Sequence, residues 1–509
     1  YQTTLLYGDL MAKLNKSWDD FSLNAAIGTS ITDTRTSALR LDSKTASLYY
    51  PNVFTIANIN MSSSAYIEES DDARRQMQSF FAMAQLGYKE SLYLDVTARN
   101  DWSSTLAFTE RKSRGFFYPS VGLSWIIPKS FSMPSLISFG KVRASWSKVG
   151  NDIPLFVSNT VGHIAAGGIP QPNDTAPFGT LKPEMSSSFE IGTEWKFFDY
   201  RMDVDLTFYK TNTKNQLFSL PSSAGAAYKY YFVNAGNIQN MGVELTFGAV
   251  PILTNQFKWN TTLNFSRNKN EVKKLHDDLA SFIQGDEGFS SSYTMRLVEG
   301  GSFGDIYGKA FERDKYGAIV YGRDGLPQEI GSGNTAKVGN CNPAFLLGWG
   351  NSFTYKDFSF YFLIDGHFGG DVLAQTQAVL DQTGVSKVSG EARTMGYVDL
   401  EGHHIYNIKG FYEQVGGRNG VTEYYMYDAT NIRLRELSLG YTLPKRLLGR
   451  KQFLKKAELS FVARNLFFIY KKAPFDPDAV LSASNSNQGI DIFGIPTTRS
   501  VGFNVKLSF

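Results

Sequence analysis

The sequence predicts an all-β chain that forms a transmembrane antiparallel β-barrel, and three observations support this fold class. Segments of about 9–12 residues alternate apolar and polar side chains, which is the length that a tilted strand needs to cross the apolar layer of a bilayer. The connections between these segments alternate between short and long. The last ten residues, 500–509, alternate without interruption and end on Phe509.

The composition fits strands that carry their apolar residues singly. The chain has 509 residues with 39 Phe, 27 Tyr and 7 Trp, yet its mean hydropathy is -0.24. No stretch approaches the roughly 18 consecutive apolar residues of a membrane-spanning helix. The 51 basic and 48 acidic residues are scattered, which argues against a nucleic-acid-binding surface. The single cysteine, Cys341, cannot form an internal disulfide and lies in a turn-like context.

About 15 segments show the strand pattern. In a regular example, Met202, Val204 and Leu206 alternate with Asp203 and Asp205, so one strand face is apolar and the other polar. An apolar face suits lipid, and a polar face suits a wet interior. The predicted strands are 5–14, 20–31, 78–88, 91–101, 115–127, 138–148, 189–197, 202–209, 243–249, 259–265, 343–355, 357–367, 432–443, 455–468 and 499–509.

The connections between these strands are sorted by length. A membrane barrel makes tight turns on the periplasmic side and large loops outside, whereas a soluble β-sandwich has no reason to alternate loop lengths. The short connections are 16–20, 88–91, 128–137, 198–200, 251–255, 355–357 and 444–455. The long ones are 32–77, 102–114, 149–185, 210–240, 268–342, 368–431 and 469–498.

Most tryptophans lie where a barrel places its aromatic girdles, at the two membrane interfaces. Trp102 lies beside a long loop and Trp146 is nearer the outer end, whereas Trp349 fits neither girdle. Those close to short turns are Trp18, Trp125, Trp195 and Trp259. The tryptophans therefore support the same assignment of inner and outer strand ends.

The strand count is odd, which leads to an expectation about the rest of the barrel. The first and last predicted strands both run toward the short-turn side, and an odd antiparallel set with this arrangement cannot close an even barrel. We therefore expect an odd number of further strands upstream.

Several motifs occur in an order that resembles the SusC/RagA-type TonB-dependent transporters of the Bacteroidetes outer membrane. Each motif is weak alone, but the ordered set extends over essentially the whole chain. The motifs are 98–104, 181–184 with 189–192, 234–238 with 242–244, 339–343 with Gly348, 431–436 with 441–444, 463–466, and 494–496 with 499–509.

This resemblance implies a barrel of 22 strands, an N-terminal plug and a lipid-anchored SusD-like lid in the cell outer membrane. Members of the family import nutrients too large for porins, mainly oligosaccharides and in some cases peptides, with force from the TonB–ExbB–ExbD complex. Residues 1–509 are expected to form the C-terminal part of the barrel, because no plug, TonB-box or first strands are recognisable. Seven further strands would complete the family's 22, and seven is an odd number, as the strand parity requires.

Asp101 and Trp102 form one candidate substrate contact at an outer strand end. A carboxylate beside a stacking ring is a reasonable saccharide site. The favoured alternative is structural, with Trp102 in the aromatic girdle and Asp101 fixing the strand to its loop.

Tyr228, Tyr230 and Tyr231 form a second candidate contact, for substrate or for the lid protein. They are expected in a long outer loop, and packing within that loop is the alternative. Tight turns at 314–317 and 323–325 predict small hairpins outside the membrane, which would suit a docking surface.

The chain offers no sequence pattern for catalysis, a metal or a cofactor. No Gly-x-Ser-x-Gly, His-Glu-x-x-His or phosphate-binding glycine motif is present, and His367 is isolated. Adjacent His403 and His404 near Glu401 are better explained by a solvated loop than by a metal site. The Asp476–Asp478 pair fits turn chemistry better than cation binding.

The final strand is predicted to carry a barrel-assembly signal, by resemblance to other outer-membrane barrels. Phe503, Val505, Leu507 and Phe509 share one face of this strand. We expect the outer-membrane assembly machinery to recognise this face.

The function predicted from the sequence is energised import without bond chemistry, with an oligosaccharide as the first candidate substrate and a peptide as the second. A passive porin-like channel is the main alternative, since it needs no plug, lid or energy source. An adhesin or a barrel enzyme is disfavoured by the missing catalytic constellation.

Overall fold

The computed structural model describes residues 1–42, 47–60, 67–109, 115–158, 161–165, 169–171, 173–176, 180–222, 225–276, 281–283, 292–331, 333, 335–444, 446, 448, 454–481 and 487–509. Parts of the predicted long connections and of the predicted short connection 444–455 lie outside these residues.

Fifteen strands form one sheet in which neighbours along the chain are also neighbours in the sheet. This order confirms the predicted all-β, antiparallel class and the predicted number of about 15 strands. The strands are β1 (Gln2–Trp18), β2 (Phe21–Asp42), β3 (Ile67–Tyr88), β4 (Leu92–Ser103), β5 (Gly115–Ile126), β6 (Ile137–Asn151), β7 (Glu184–Phe197), β8 (Met202–Pro221), β9 (Tyr230–Leu253), β10 (Phe257–Lys274), β11 (Phe345–Tyr355), β12 (Phe358–Phe368), β13 (Asn431–Thr442), β14 (Lys456–Lys471) and β15 (Ser500–Ser508).

Several strands are longer at their outer ends than the sequence pattern predicted. Strands β2 and β3 pair over 22 residues each, from Phe21↔Tyr88 to Asp42↔Ile67. Most of the predicted loop 210–240 also belongs to β8 and β9, which leaves 222–229 as the connection. These extensions contain polar residues on both faces, so they lack the apolar alternation by which the strands were recognised. Backbone pairing continues there without an apolar face.

Strand β4 shows the two chemically different faces of the sheet. Leu92, Leu94 and Val96 remain 38%, 38% and 40% exposed, whereas Asp101 on the opposite face is 4% exposed. The polar face is cross-linked by side chains, such as the Gln85 Nε2 donor and the Asp95 Oδ1 acceptor at 2.8 Å. A soluble sheet would bury the aliphatic face, so this pattern matches a strand that faces lipid.

Short elements fill the longer connections. The helices are α1 (Gln375–Gln382), α2 (Lys387–Met395) and α3 (Ile408–Val415), with 3₁₀ turns at Ile56–Asn58, Ser104–Leu106, Ile127–Lys129 and Thr422–Tyr425. Short strands lie at His163–Ala165, Ile169–Gln171, Ser281–Ile283, Tyr293–Val298, Asp305–Gly308, Ala336–Asn340, Asp371–Ala374, Val398–Leu400, His403–Ile405, Met426–Asp428 and Ile490–Asp491. None of the helices in the described part of the chain has the length and apolarity needed to cross a membrane.

The chain divides into two compact units. The first comprises 1–132, 141–191 and 210–238, and the second comprises 133–140, 192–209 and 239–509. Within the first unit, a small apolar core beside the outer connections contains the buried residues Leu106, Phe116, Ile153, Val157 and Leu181.

The largest core lies in the second unit, in the long connections. The connections 275–344, 369–430 and 472–499 contribute to one packed cluster, which we call the loop body. Its fully buried side chains include Met295, Ile306, Leu373, Phe411 and Ile490. Burial of each such side chain stabilises the fold by about 1.5–3 kcal/mol. The described parts of these three connections therefore form a folded structure.

The two predicted turns in the loop body are present. Gly317 and Gly325 have φ values of +88° and +75°, which glycine adopts without steric cost. The Gly317 N–H donates to the Asp314 carbonyl oxygen at 3.0 Å, and the Gly325 N–H donates to the Gly322 carbonyl oxygen at 3.1 Å. The predicted tight turns are thereby confirmed, and their position outside the membrane stays a prediction.

Candidate functional site

A cavity of about 510 Å³, which we call the polar cavity after its charged and amide groups, lies at the outer ends of strands β11 to β13 and beside the middle of β9 and β10, within the second unit. His367 is the second-last residue of β12 and Asn431 is the first of β13, so the long connection 369–430 joins these strands at this end. The lining comprises Glu244, Leu245, Thr246, Asn264, Phe265, Ser266, Leu346, Leu347, Gly348, Asp365, Gly366, His367, Asn431, Arg435 and Asp478.

Strand register brings the polar lining residues together. Asn264 is opposite Gly348, and Gly348 is opposite Asp365. Directly opposite residues in antiparallel strands point to the same face, so these three positions lie in one row. Glycine in the middle of the row leaves space between the amide and the carboxylate.

A β-bulge positions Arg435. The register steps from Leu363↔Glu436 to Ile364↔Leu434, which leaves Arg435 as the extra residue on β13. Such an insertion re-aims a side chain that strict alternation would place elsewhere. Arg435 consequently lies within reach of the carboxylate of Asp365.

Arg435 is the central charge of the cavity. Its Nε and Nη2 atoms donate to Asp365 Oδ2 at 2.9 and 2.5 Å, and its Nη1 donates to Asn465 Oδ1 at 3.0 Å. A further carboxylate, that of Asp478, is 3.6 Å away. The guanidinium side chain remains 34% exposed, so it can still meet a solute.

Arg433 anchors the connection 472–499 beside the cavity. Its side chain is 1% exposed, and its Nη2 donates to Asp476 Oδ1 at 3.1 Å and to Asp478 Oδ2 at 2.7 Å. The guanidinium carbon is 4.2 Å from the centre of the Phe468 ring. Arg433 therefore has a structural role and fixes Asp478 at the cavity wall.

The turn at Asp476 follows the chemistry expected from the sequence. The Asp478 N–H donates to Asp476 Oδ1 at 3.1 Å, as in an Asx turn. Burial acts to raise the pKa of Asp476, but hydrogen bonds from Thr497 and from the Asp478 N–H, with the charge of Arg433, outweigh burial and lower it. Asp476 is therefore held as a charged partner of Arg433.

Two polar atoms at the cavity lack a hydrogen-bond partner within the described residues, namely His367 Nε2 and Asp365 Oδ1. An unpaired buried polar atom costs about 1–3 kcal/mol. Both atoms have almost no accessible surface, so a solute in the cavity would not reach them without a side-chain movement.

The chemistry of the cavity suits reversible binding. Carboxylates, amides and a guanidinium provide both acceptors and donors, which match hydroxyl or amide groups of a solute. No nucleophile is paired with a general base along the lining. Within the described ranges, no group of three His, Cys, Asp or Glu side chains is placed to hold a metal.

The structure separates the predicted pair Asp101 and Trp102. Asp101 accepts from Arg99 Nε at 2.7 Å and from the Tyr118 hydroxyl, and it is buried. Trp102 points to the opposite face and is 43% exposed. Because neighbouring strand residues point to opposite faces, the two side chains do not form one surface. Substrate contact by either residue stays a prediction.

Tyr228, Tyr230 and Tyr231 remain exposed at the start of β9. Tyr230 and Tyr231 belong to the strand and not to the long loop that was expected. The segment is tied to 174–176, since the Lys229 N–H donates to the Asp174 carbonyl oxygen at 2.7 Å and Lys229 Nζ to the Asp174 carboxylate at 2.8 Å. The rings are accessible, and their contact with substrate or lid stays a prediction.

Glu401, His403 and His404 are occupied by local contacts within the loop body. Arg313 Nη2 donates to Glu401 Oε1 at 2.7 Å, a bond that lowers the pKa of Glu401. The ring centres of His403 and Tyr321 are 4.0 Å apart, as are those of His404 and Tyr397. All three residues remain exposed on a small β-hairpin, which agrees with the solvated loop expected from the sequence.

Cys341 lies in a buried part of the loop body. Burial raises the pKa of its thiol to about 11, which leaves little thiolate at neutral pH. A role as a nucleophile is therefore disfavoured.

The residues of the predicted assembly signal lie together on one face of β15. Phe503, Val505, Leu507 and Phe509 are 84%, 58%, 47% and 61% exposed. The strand pairs with β14 from Arg464↔Ser500 to Lys456↔Ser508. Their recognition by the assembly machinery stays a prediction.

None of the residues that line the cavity was predicted as a site residue, and Asp365 and Arg435 are the most informative cases. Asp365 reads in the sequence as one more polar position of an alternating strand. Arg435 belongs to the 431–436 motif, but its direction depends on a bulge that counting every second residue does not reveal. The motif itself was the only signal that could have drawn attention to this region.

Comparisons with known proteins agree with this architecture. Residues 1–325 match the family model described as TonB dependent receptor-like, beta-barrel. TonB-dependent receptor P3 of Formosa agariphila is 26% identical over 489 residues, which cover 88% of this chain and 47% of that protein. TonB-dependent receptor SusC of Bacteroides thetaiotaomicron is 22% identical over 491 residues, which cover 87% and 46%.

The fold is also similar to that of the RagAB peptide importer in its closed-closed state. The TM-score is 0.78 at 17% identity, and the match covers 100% of this chain and 56% of that chain. The chain spans about half the length of the curated relatives that it matches. With more than half of its residues matching the family model, the chain belongs to the TonB-dependent receptor-like β-barrel family of the outer membrane.

Proposed function

We propose that this chain supplies the C-terminal part of the barrel of a TonB-dependent importer of large nutrients. The plug, the TonB-box and the first seven strands of a 22-stranded barrel would belong to the remainder of the protein. Family membership is the observation that carries this proposal. The fifteen strands and the half-length match to the relatives support it.

An oligosaccharide is the first substrate class that we propose. The cavity combines carboxylate, amide and guanidinium groups around Asp365, Asn264 and Arg435, a set that can donate to and accept from several hydroxyl groups. A peptide is the second class, because RagAB, whose fold is similar, is described as a peptide importer.

Transport would proceed by binding, occlusion and release. A SusD-like surface lipoprotein would deliver the solute to the outer end of the barrel, where the cavity and the loop body lie. The TonB–ExbB–ExbD complex would then displace the plug and release the solute inward. The contacts of this chain hold the solute and do not break its bonds.

A binding experiment with two variants tests the role of the cavity. Protein extracted from the outer membrane is titrated with a labelled mixture of oligosaccharides and, separately, with a labelled mixture of peptides. Replacing Arg435 by Gln should weaken oligosaccharide binding about tenfold or more, because a charged hydrogen-bond donor is lost. Arg464→Gln is the matched control, since Arg464 is 61% exposed and pairs with Glu436 at 3.0 Å.

Equal oligosaccharide affinity in both variants and in the unmodified protein would contradict the proposed site. Binding of the peptide mixture alone, with the same dependence on Arg435, would show that the substrate is a peptide. The proposed binding site would then remain the cavity around Arg435.

A further inference from the structure

A second cavity lies on the opposite, apolar face of the sheet. It has a volume of about 350 Å³ and opens among strands β11 to β14, within the second unit. Its lining residues are Phe353, Tyr355, Phe358, Ser359, Phe360, Leu439, Gly440, Tyr441 and Leu459. We call it the apolar groove.

Strand register creates this groove from two rows of large side chains. Phe358 is opposite Tyr355 on one neighbouring strand and opposite Tyr441 on the other. Phe360 is likewise opposite Phe353 and Leu439. Opposite residues share a face, so both rows project from the same side of the sheet.

The side chains along the groove are only partly covered by the protein. Phe358 and Leu439 are 59% and 52% exposed, although the rings of Phe358 and Tyr441 are packed with centres 4.7 Å apart. An acyl chain seated between two rows of rings makes more van der Waals contacts than one lying on a flat lipid-facing surface.

The groove lies at the short-turn end of its strands. Strands β11 and β12 are joined at 356–357, and β13 and β14 at 443–455. Short turns face the periplasm in barrels of this kind. The tyrosines that line this end, Tyr355 and Tyr441, have the amphipathic character of residues at the level of lipid headgroups.

The same end carries exposed basic residues. Lys356 Nζ is 5.4 Å from the centre of the Tyr355 ring, and Arg446 and Lys455 are exposed. Within the described residues, no carboxylate forms an ion pair with any of these three, whereas Lys456 is paired with Glu458 at 3.0 Å. The sequence 443–455 contains five basic residues and no acidic residue. An anionic headgroup would therefore be attracted here.

We propose that the apolar groove binds an anionic phospholipid of the periplasmic leaflet. One acyl chain would cover Phe358, Phe360 and Leu439. The phosphate would accept hydrogen bonds from Lys356, Arg446 and Lys455. This site is independent of the transported solute, because it lies on the face opposite the polar cavity.

Native mass spectrometry of protein extracted from the outer membrane tests the proposal. The protein is freed of lipid in detergent and titrated with phosphatidylglycerol, phosphatidylethanolamine or lipid A. Phosphatidylglycerol should bind tightest. The triple variant Lys356→Gln, Arg446→Gln, Lys455→Gln should weaken its binding by about fivefold for each basic residue removed.

Two further variants separate headgroup recognition from chain burial. Leu439→Trp fills the groove from a position that is already half exposed, so it should lower the affinity for all three lipids without preventing folding. Lys89→Gln is the matched control, because Lys89 Nζ is also above the ring of the preceding tyrosine, 5.3 Å from the centre of Tyr88. The control should bind phosphatidylglycerol like the unmodified protein.

Three outcomes would overturn the proposal. Equal affinity for phosphatidylglycerol and phosphatidylethanolamine would show that the groove does not recognise an anionic headgroup. Tighter binding of lipid A would assign the site to the other leaflet. Unchanged phosphatidylglycerol binding in both the triple variant and Leu439→Trp would exclude the groove.

Discussion

Single residues determine how the outer connections are held, and Arg433 is the clearest case. Replacing Arg433 by Met should destabilise the connection 472–499 by about 3–5 kcal/mol, because Asp476 and Asp478 would lose their buried partner. Hydrogen exchange at the amides of 472–481 and 487–499 measures this change.

Arg464→Met is the control for Arg433. Arg464 is an exposed partner of Glu436 on the neighbouring strand, so its loss should change stability by about 1 kcal/mol or less. Similar exchange rates in the two variants would contradict the anchoring role of Arg433.

Asp381 should make the stability of the loop body depend on pH. Its carboxylate accepts from Gln377 Nε2 at 2.6 Å and from the Tyr425 hydroxyl at 3.1 Å, but burial raises its pKa above 3.8. A raised folded-state pKa means that stability is fully present below the unfolded pKa and is lost as the pH rises through the folded value. The loop body should therefore become more stable as the pH falls from neutral toward the ordinary pKa.

Asp381→Asn should reduce this pH dependence without abolishing it, because burial also raises the pKa of Asp371 and Asp491. Thermal melting followed by near-ultraviolet circular dichroism of the buried tyrosines would record the change. Glu391→Gln on α2 is a suitable control, because Glu391 is exposed and forms a surface ion pair with Lys387 at 3.4 Å. A wild-type slope that persists in Asp381→Asn would assign the pH dependence to another group.

The sequence was less informative for side-chain partners than for strand positions. The opposite directions of Asp101 and Trp102 follow from a period of two and could be anticipated. The pairing of Arg435 with Asp365 could not, because a bulge changes the direction of one residue without leaving an apolar signature. Contacts such as Arg433 with Asp478 join residues 45 positions apart and depend on the folded connection.

At the scale of elements, β15 carries a testable role in assembly. Deleting Phe509 should reduce the amount of protein inserted in the outer membrane and leave its synthesis unchanged, because the exposed apolar face of the strand would lose its terminal residue. Quantitative immunoblotting of outer-membrane and total-cell fractions measures both quantities.

The control removes no apolar contact. Gly502→Ala lies on the other face of β15, where an added Cβ has no neighbour within 4 Å. Normal insertion after deletion of Phe509 would refute the assembly role, as would an equal loss in Gly502→Ala.

The sequence predicted the strands wherever one face is apolar and meets lipid. It did not predict where the strands end. Alternation stops near Ile31, yet β2 continues to Asp42 because its backbone pairs with β3. The helices of the connection 369–430 were also missed. They are only 8 or 9 residues long, which is too short for a clear helical pattern of apolar residues, and they are stabilised by packing within the loop body.

At the scale of the whole molecule, apolar residues have two different environments. Many large apolar residues of the strands remain exposed on the lipid-facing side, whereas many of those in the long connections are buried in the loop body. This distribution explains why the composition resembles neither a soluble sandwich nor a helical membrane protein. It also agrees with a protein that must be anchored in lipid and keep ordered structure outside it.

Import that requires TonB is the central claim, and uptake by whole cells tests it most directly. Accumulation of a labelled oligosaccharide mixture is compared in cells that express the protein with and without a functional TonB. We predict saturable accumulation that requires both the protein and TonB. Accumulation that continues without TonB and rises linearly with external concentration would contradict the account and indicate a passive channel.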